Sequence, residues 1–356
     1  MRTATITGAA SALPAAMDQR ELWDGFFRDY YCDDRLARRM WASAGVRTRH
    51  GVANPVDEDL SRWTTGQRME RYLAEALPLG KDAVSGALAD AGLGAVDLGL
   101  FAVASCTGYV TPGVDILLAR DLGMAPDVQR LVVGHMGCYA ALPGLGAVTD
   151  FVLAHRKPAL LLCLELTSLH VQPPTPVAQV DQVVCHALFS DAASAVVVVP
   201  DGAASRAAGR VERPGLGVVD IVARTDAATS DHMTWDVTDL GFRMGLSACV
   251  PDVLARHARP VVTELLGGHG LTVPDVAGWA VHPGGPRILD VIGSELELPD
   301  EALAASRAVL RDCGNCSSAT VLLVLERLRE QRPGAPVVAL AFGPGLTLYA
   351  ALLRAR

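Results

Sequence analysis

Short apolar runs alternate along the whole chain with longer stretches in which apolar residues recur at helical spacing. The runs 3–7, 98–104, 129–133, 159–164, 195–199, 217–222, 278–282 and 337–342 read as strands, set off by Gly, Pro or charged residues. Runs 159–164 and 195–199 hold no charged position, the pattern of strands covered on both faces. Helical segments between them complete the picture of a layered α/β architecture.

The order of these elements repeats. SGALADAGLGAVDLGLFAVASCTG, beginning at Ser85, and VTELLGGHGLTVPDVAGWAVHPGG, beginning at Val262, share one grammar of helix, Gly stop, short link, apolar run and turn. GCYAALPGLGAVTDFVLAHRKPALLLCLEL, from Gly137, and GNCSSATVLLVLERLREQRPGAPVVALAFG, from Gly314, form a second pair. Each opens on Gly and a small or polar residue, enters a helix, passes basic residues and Pro, and ends in a buried strand. Two matched pairs in the same order predict a duplication. The Gly/Ala/Ser-rich connection PDGAASRAAG, 200–209, is the expected boundary, giving halves 1–205 and 206–356. Residues 172–179, with PPTP, are expected to form a loop.

Composition narrows the class. The 356 residues are 50% hydrophobic and 20% charged, with mean hydropathy +0.27, which excludes a disordered chain. The net charge of −8 removes a chain-wide basic footprint for nucleic acid, leaving only a local patch at Arg35, Arg38 and Arg39. Eight scattered cysteines do not make a disulfide framework and read as reduced thiols, so a cytoplasmic protein is expected. The N-terminal MRTATITGAASALPAAM lacks the unbroken apolar centre of a signal peptide. The apolar run 158–164 ends at Glu165, too short to cross a bilayer, so no membrane association is expected.

Three strand-to-helix turns carry residues suited to chemistry. In VVGHMGCYAALPG, Cys138 opens a predicted helix, where free N–H groups favour a thiolate; the competing reading is a small buried cysteine. In WAVHPGGPRILD, His282 ends a strand above a Pro-Gly-Gly turn, although a lone buried histidine is more often structural. In DCGNCSSATVLLV, Asn315 stands at a helix start, where capping is the competing reading. Asn315 occupies the repeat position of Cys138, and His282 the turn that matches Cys106. Facing halves would bring a thiol, an imidazole and an amide together, a set suited to acyl transfer. The spacing Cys313-x-x-Cys316 has no companion pair for zinc, and no Gly-rich turn matches a phosphate-binding fingerprint, so no metal is expected.

At these segments the sequence resembles the type III polyketide synthases, the chalcone synthase-like family, and its bacterial members in particular. GCYA, HPGGPRILD and GNCSSA carry the resemblance at Cys138, His282 and Asn315; ALFSDAASAVVV carries it at Phe189, and AFGPGLTLYA at Gly343, Pro344 and Gly345. The resemblance implies a thiolase-like duplicated αβαβα layered fold and a homodimer. It also implies a malonyl-CoA-extending enzyme that needs no cofactor, CoA thioesters being its substrates. Cys138 would take the acyl group of an acyl-CoA starter. His282 would pair with Cys138 and, with Asn315, stabilise the enolate left by malonyl decarboxylation. Phe189 and, at altered spacing, Phe242 would gate the cavity, while Cys106, Thr111 and His170 stand where plant members carry other cavity residues. Of the CoA-phosphate positions Leu36, Arg39 and Ser43, only Arg39 keeps the basic residue, and Ser317 matches a position near the pantetheine arm. A medium-to-long aliphatic starter and two or three extensions to alkylpyrones or alkylresorcinols are expected, with Leu142 and Leu145 as candidate tunnel walls. The alternatives are a ketoacyl-ACP synthase III-like enzyme making one condensation, and a non-catalytic acyl-CoA-binding protein.

Overall fold

The computed structural model describes residues 4–173, 179–201 and 215–356. Most of the expected loop 172–179 and of the connection 200–209 lies outside the described residues, as does the first residue of run 3–7.

Each apolar run of the sequence lies within or overlaps a strand of one mixed sheet. In spatial order the strands are Gly278–Val281, Pro336–Gly343, Thr347–Ala355, Leu216–Thr225, Ala4–Ala12, Ala192–Pro200, Ala159–Glu165, Leu100–Ser105 and Gln129–Gly134. The pairing repeats. Leu100–Ser105 is parallel to Ala159–Glu165, which runs antiparallel to Ala192–Pro200 and that to Ala4–Ala12. Likewise Gly278–Val281 is parallel to Pro336–Gly343, which runs antiparallel to Thr347–Ala355 and that to Leu216–Thr225. The two series join where Ala4, Thr5 and Ile6 pair antiparallel with Val218, Gly217 and Leu216. The duplication legible in the sequence is therefore also a duplication of topology.

Side-chain alternation builds the layers. In Ala159–Glu165, residues 159, 161 and 163 face one core and residues 160, 162 and 164 another. In Pro336–Gly343, Val337, Ala339 and Ala341 face that same first core, while Val338, Leu340 and Phe342 face a third. The shared core holds the helices Ala141–His155 and Ala319–Arg327, wrapped by both half-sheets. Helices Thr65–Ala91 and Val114–Asp121 cover the outer face of the first half, and Val250–Gly267 and Pro286–Leu296 that of the second. The result is the thiolase-like αβαβα stack. Segment Gly137–His155 is long and apolar enough to cross a membrane by length and composition, and 61% of that window is buried inside the molecule. Its Pro, Thr and Asp residues mask this in the sequence, and its central position accounts for its apolarity. Leu142 and Leu145, expected along a substrate tunnel, are fully buried in this central core instead, because both faces of the helix meet a half-sheet.

Candidate active site

The site forms where strand ends of the two halves meet. Gly137–Tyr139 is a single 3-10 turn, and the α-helix starts only at Ala141, so Cys138 sits just ahead of the helix rather than in it. Gly137 adopts φ +72°, and a Cβ there would stand 2.9 Å from Pro344 Cδ. A Cβ on Gly343 would meet Tyr139 Cδ1 at 3.0 Å. The Gly343-Pro344-Gly345 turn is thus pressed against the cysteine turn, and only glycine permits the fit.

His282 follows Gly278–Val281, fixed by its N–H to Leu340 O at 2.8 Å, and its ring meets Phe342 edge-on with centroids 5.4 Å apart. Both ring nitrogens are buried without a hydrogen-bond partner. Asn315 lies in the turn before Ala319–Arg327 and is not its cap, which is Ser318. Its Oδ1 accepts from Ser317 N at 2.9 Å and from Thr320 Oγ1 at 3.5 Å, which assigns the amide orientation and leaves the NH₂ free to donate. Its backbone N–H donates to Leu188 O at 2.8 Å, and its carbonyl accepts from Ser190 N at 2.9 Å, tying it to the segment that bears Phe189.

Cys138, His282, Asn315 and Phe189 line one cavity of about 520 Å³. Most of its remaining wall is apolar, including Val184, Leu188, Leu246, Ile288 and Phe342. Burial pushes the Cys138 thiol up to about 12, opposed by hydrogen bonding from Ser317, and pushes His282 down to about 3. No hydrogen bond joins them among the described residues, and burial disfavours the charged form of each.

The other expected residues separate. Cys106 and Ser317 line a small recess beside Cys138, over the fully buried Glu165. Glu165 accepts from Cys106 N (3.0 Å), Thr107 Oγ1 (2.9 Å) and Ser318 Oγ (2.5 Å), and burial raises its pKa. Ser317 therefore lies in this recess beside the Cys138 sulfur. His170 donates from Nε2 to Thr107 O at 2.7 Å and accepts from Phe242 N at 3.0 Å; Phe242 stacks on it at 4.6 Å. Both belong to an inner wall behind Phe189. Thr111 is exposed and does not line its own chain's cavity. Arg39 is exposed on helix Arg35–Ala42, whose neighbours Met40 and Ser43 reach the cavity mouth instead. Cys313 and Cys316 are buried, with Cys316 Sγ donating to Cys313 O at 3.5 Å. Sequence reading missed Glu165, whose signal was a carboxylate closing a fully buried strand. It also missed Met244 and Trp235, which a half-exposed hairpin, Met233–Thr238 with Gly241–Leu246, delivers with no periodic signal.

A duplicated αβαβα fold with a cysteine, a histidine and an asparagine on one strand-end cavity defines a condensing acyltransferase of the thiolase type. The family models of the chalcone and stilbene synthases match here, the N-terminal domain over residues 2–202 and the C-terminal domain over 220–356. The chain belongs to this family, the type III polyketide synthases, and is an enzyme. It is 38% identical to a 1,3,6,8-tetrahydroxynaphthalene synthase of Streptomyces peucetius subsp. caesius, over 99% of this chain and 93% of the relative. It is 33% identical to the alpha-pyrone synthesis polyketide synthase-like Pks18 of Mycobacterium tuberculosis, over 87% and 80%. The crystal structure of the 1,3,6,8-tetrahydroxynaphthalene synthase of Streptomyces coelicolor A3(2) superposes with TM-score 0.89 at 30% identity, covering 98% of this chain and 99% of that one.

Proposed function

We propose that the enzyme loads an aliphatic acyl group from CoA onto Cys138 and extends it iteratively with malonyl-CoA, giving alkylpyrone- or alkylresorcinol-type products. The carrying observation is that Cys138, His282 and Asn315 share one cavity in which the imidazole and the Asn315 amide have unused hydrogen-bonding capacity. Neutral His282 accepts the thiol proton as the sulfur attacks the starter thioester, and CoA leaves as the thiol once reprotonated. Malonyl-CoA then loses CO₂, and the enolate oxygen is stabilised by the Asn315 amide and the N–H of the His282 ring, neutral again once its proton has gone to the departing CoA sulfur. The enolate carbon attacks the Cys138 thioester, forming the new carbon–carbon bond and releasing the Cys138 sulfur. This sequence balances without a metal or redox cofactor. The largely apolar wall supports an aliphatic starter, each buried CH₂ contributing about 0.8 kcal/mol. The test is kcat/KM across acetyl-, malonyl-, hexanoyl-, lauroyl-, benzoyl- and coumaroyl-CoA, with products identified by mass. Preference for an aromatic starter overturns the aliphatic reading, and strict need for malonyl-ACP overturns the reaction class.

A homodimer completes the proposal. Strand Gln129–Gly134 ends the sheet with its edge exposed, and Leu131 and Val132 are 37% and 59% accessible. An apolar edge strand of this kind favours pairing with another chain.

A further inference from the structure

Behind Phe189 lies a second, smaller chamber of about 50 Å³, bordered like the main cavity by Phe189, Cys185 and Met244. By the space one water needs, it holds about three or four non-hydrogen atoms, the size of a carboxymethyl group rather than an alkyl chain. Its chemistry also differs from the main cavity's. Arg49 is only 6% exposed, and its Nη1 donates to the carbonyls of His186 and, at 3.1 Å, Phe189. Its Nε is buried without a partner, and among the described residues no carboxylate forms an ion pair with it. The acid that bears on it is Asp191, whose oxygens already accept from Ser168, Thr167 and Val52. Burial lowers Arg49 to about 10, which leaves it cationic at neutral pH. His186 shares its Nδ1 with Tyr31 Oη at 2.6 Å, and its Nε2 makes no hydrogen bond among the described residues. Nearby, the Tyr30 hydroxyl and Arg243 Nε are also buried without partners, and Arg243 bears electrostatically on His186. Of these groups Arg49 and His186 line the chamber, Arg49 with its guanidinium over the Trp41 and Phe27 rings, and no carboxylate is among the lining residues to pair with it.

We propose that this chamber is a carboxylate subsite: an aliphatic starter joined to Cys138 by its thioester passes Phe189 and ends in a carboxylate held by Arg49 and His186. The inference rests on the polyketide synthase reading and narrows its starter to aliphatic dicarboxylyl-CoAs. A guanidinium matches a carboxylate in shape and charge, whereas a methyl terminus would leave it unpaired.

The test uses the full-length enzyme and compares succinyl- with butyryl-CoA, glutaryl- with pentanoyl-CoA, adipoyl- with hexanoyl-CoA and suberoyl- with octanoyl-CoA. Two readouts are taken, acylation of Cys138 by intact mass and kcat/KM with malonyl-CoA as extender. In at least one pair the dicarboxylyl starter should win by about tenfold or more, the factor expected of a charge-assisted contact. Arg49 also holds the end of helix Gln179–Leu188, so a substitution there can disturb folding. The ratio within a pair cancels the folded fraction, and His186→Phe tests the subsite from a different element. The preference should vanish in Arg49→Met and His186→Phe and persist in part in Arg49→Lys. A wild-type ratio at or below one in every pair, or a preference unchanged by both substitutions, overturns the subsite. If monocarboxylyl starters turn over without that preference, the subsite alone fails. If no starter acylates Cys138, the underlying function fails with it.

Discussion

At Cys138 the decisive quantity is the cost of a charge in a closed cavity. With the thiol held near 12 and the imidazole near 3, the thiolate fraction at neutral pH is small and grows as pH rises. Inactivation by iodoacetamide should therefore climb about tenfold per pH unit from neutrality upward. A plateau near pH 7 would instead reveal a thiolate–imidazolium pair titrating as one unit. The Asn315 amide makes a separable contribution. Asn315→Ala should leave Cys138 loading intact and slow condensation by about 10²–10³-fold, the loss typical of one oxyanion donor. Cys138→Ala should abolish the acyl adduct itself, seen by intact mass; an adduct that persists would move the nucleophile elsewhere. These three residues were legible because each stands in a glycine-containing turn that leads into a helix. Arg49 and His186 were not, since nothing in their local sequence announces that a short strand and a distant helix end will enclose a shared space.

Elements place these groups only to the extent that backbones can approach. Gly137→Ala would force a side chain into φ +72° and within 2.9 Å of Pro344. It should cost about 1–3 kcal/mol and slow loading, read by urea unfolding and by intact mass. Gly146→Ala, in the helix that follows the cysteine turn, meets only Ile221 Cδ1 at 3.5 Å. It should stabilise by about 0.5–1 kcal/mol without affecting loading, and a loss in both variants would mean the cysteine turn is not specially constrained. Continuous apolar runs made the buried strands readable. Thr347–Ala355 escaped because TLYAALLRA mixes strong helix formers, and its extended form comes from pairing with Pro336–Gly343 and Leu216–Thr225. The hairpin at 233–246 escaped because its polar and apolar positions make no sustained run. Its turn depends on Gly241 at φ +103°, where a Cβ would strike Arg68 at 2.6 Å.

For the whole molecule, protons and partners set stability. His170, His186 and His282 are held neutral by burial at about 4, 3 and 3, against an ordinary value of 6.5. Between pH 6.5 and about 4 the unfolded chain binds protons that the folded chain refuses, so stability should fall as pH drops. Each histidine contributes up to about 1.4 kcal/mol per pH unit. Glu165 and Asp191 act oppositely: burial raises both, so the folded state gains protons first as pH falls through their raised values. Urea midpoints at pH 7, 6 and 5 should decline, and a flat profile would mean that the carboxylates cancel the histidines. Val132→Lys should convert a dimer to monomer by light scattering, and an unchanged mass would place the interface away from strand Gln129–Gly134.

The central layer imposes an order on biosynthesis. Helix Ala141–His155 is covered on one side by strands of its own half and on the other by helix Ala319–Arg327 and the second half-sheet. The ribosome supplies residues at about 5–20 per second, so that apolar face waits on the order of ten seconds or more for its cover. During that interval the nascent chain displays a stretch with the length and greasiness of a membrane anchor. A gene fragment encoding only residues 1–201 should consequently yield inclusion bodies or chaperone-bound polypeptide, and co-expression of 215–356 should recover soluble material. The duplicated halves share a wall that neither can finish alone, so each half should fold only in the presence of the other.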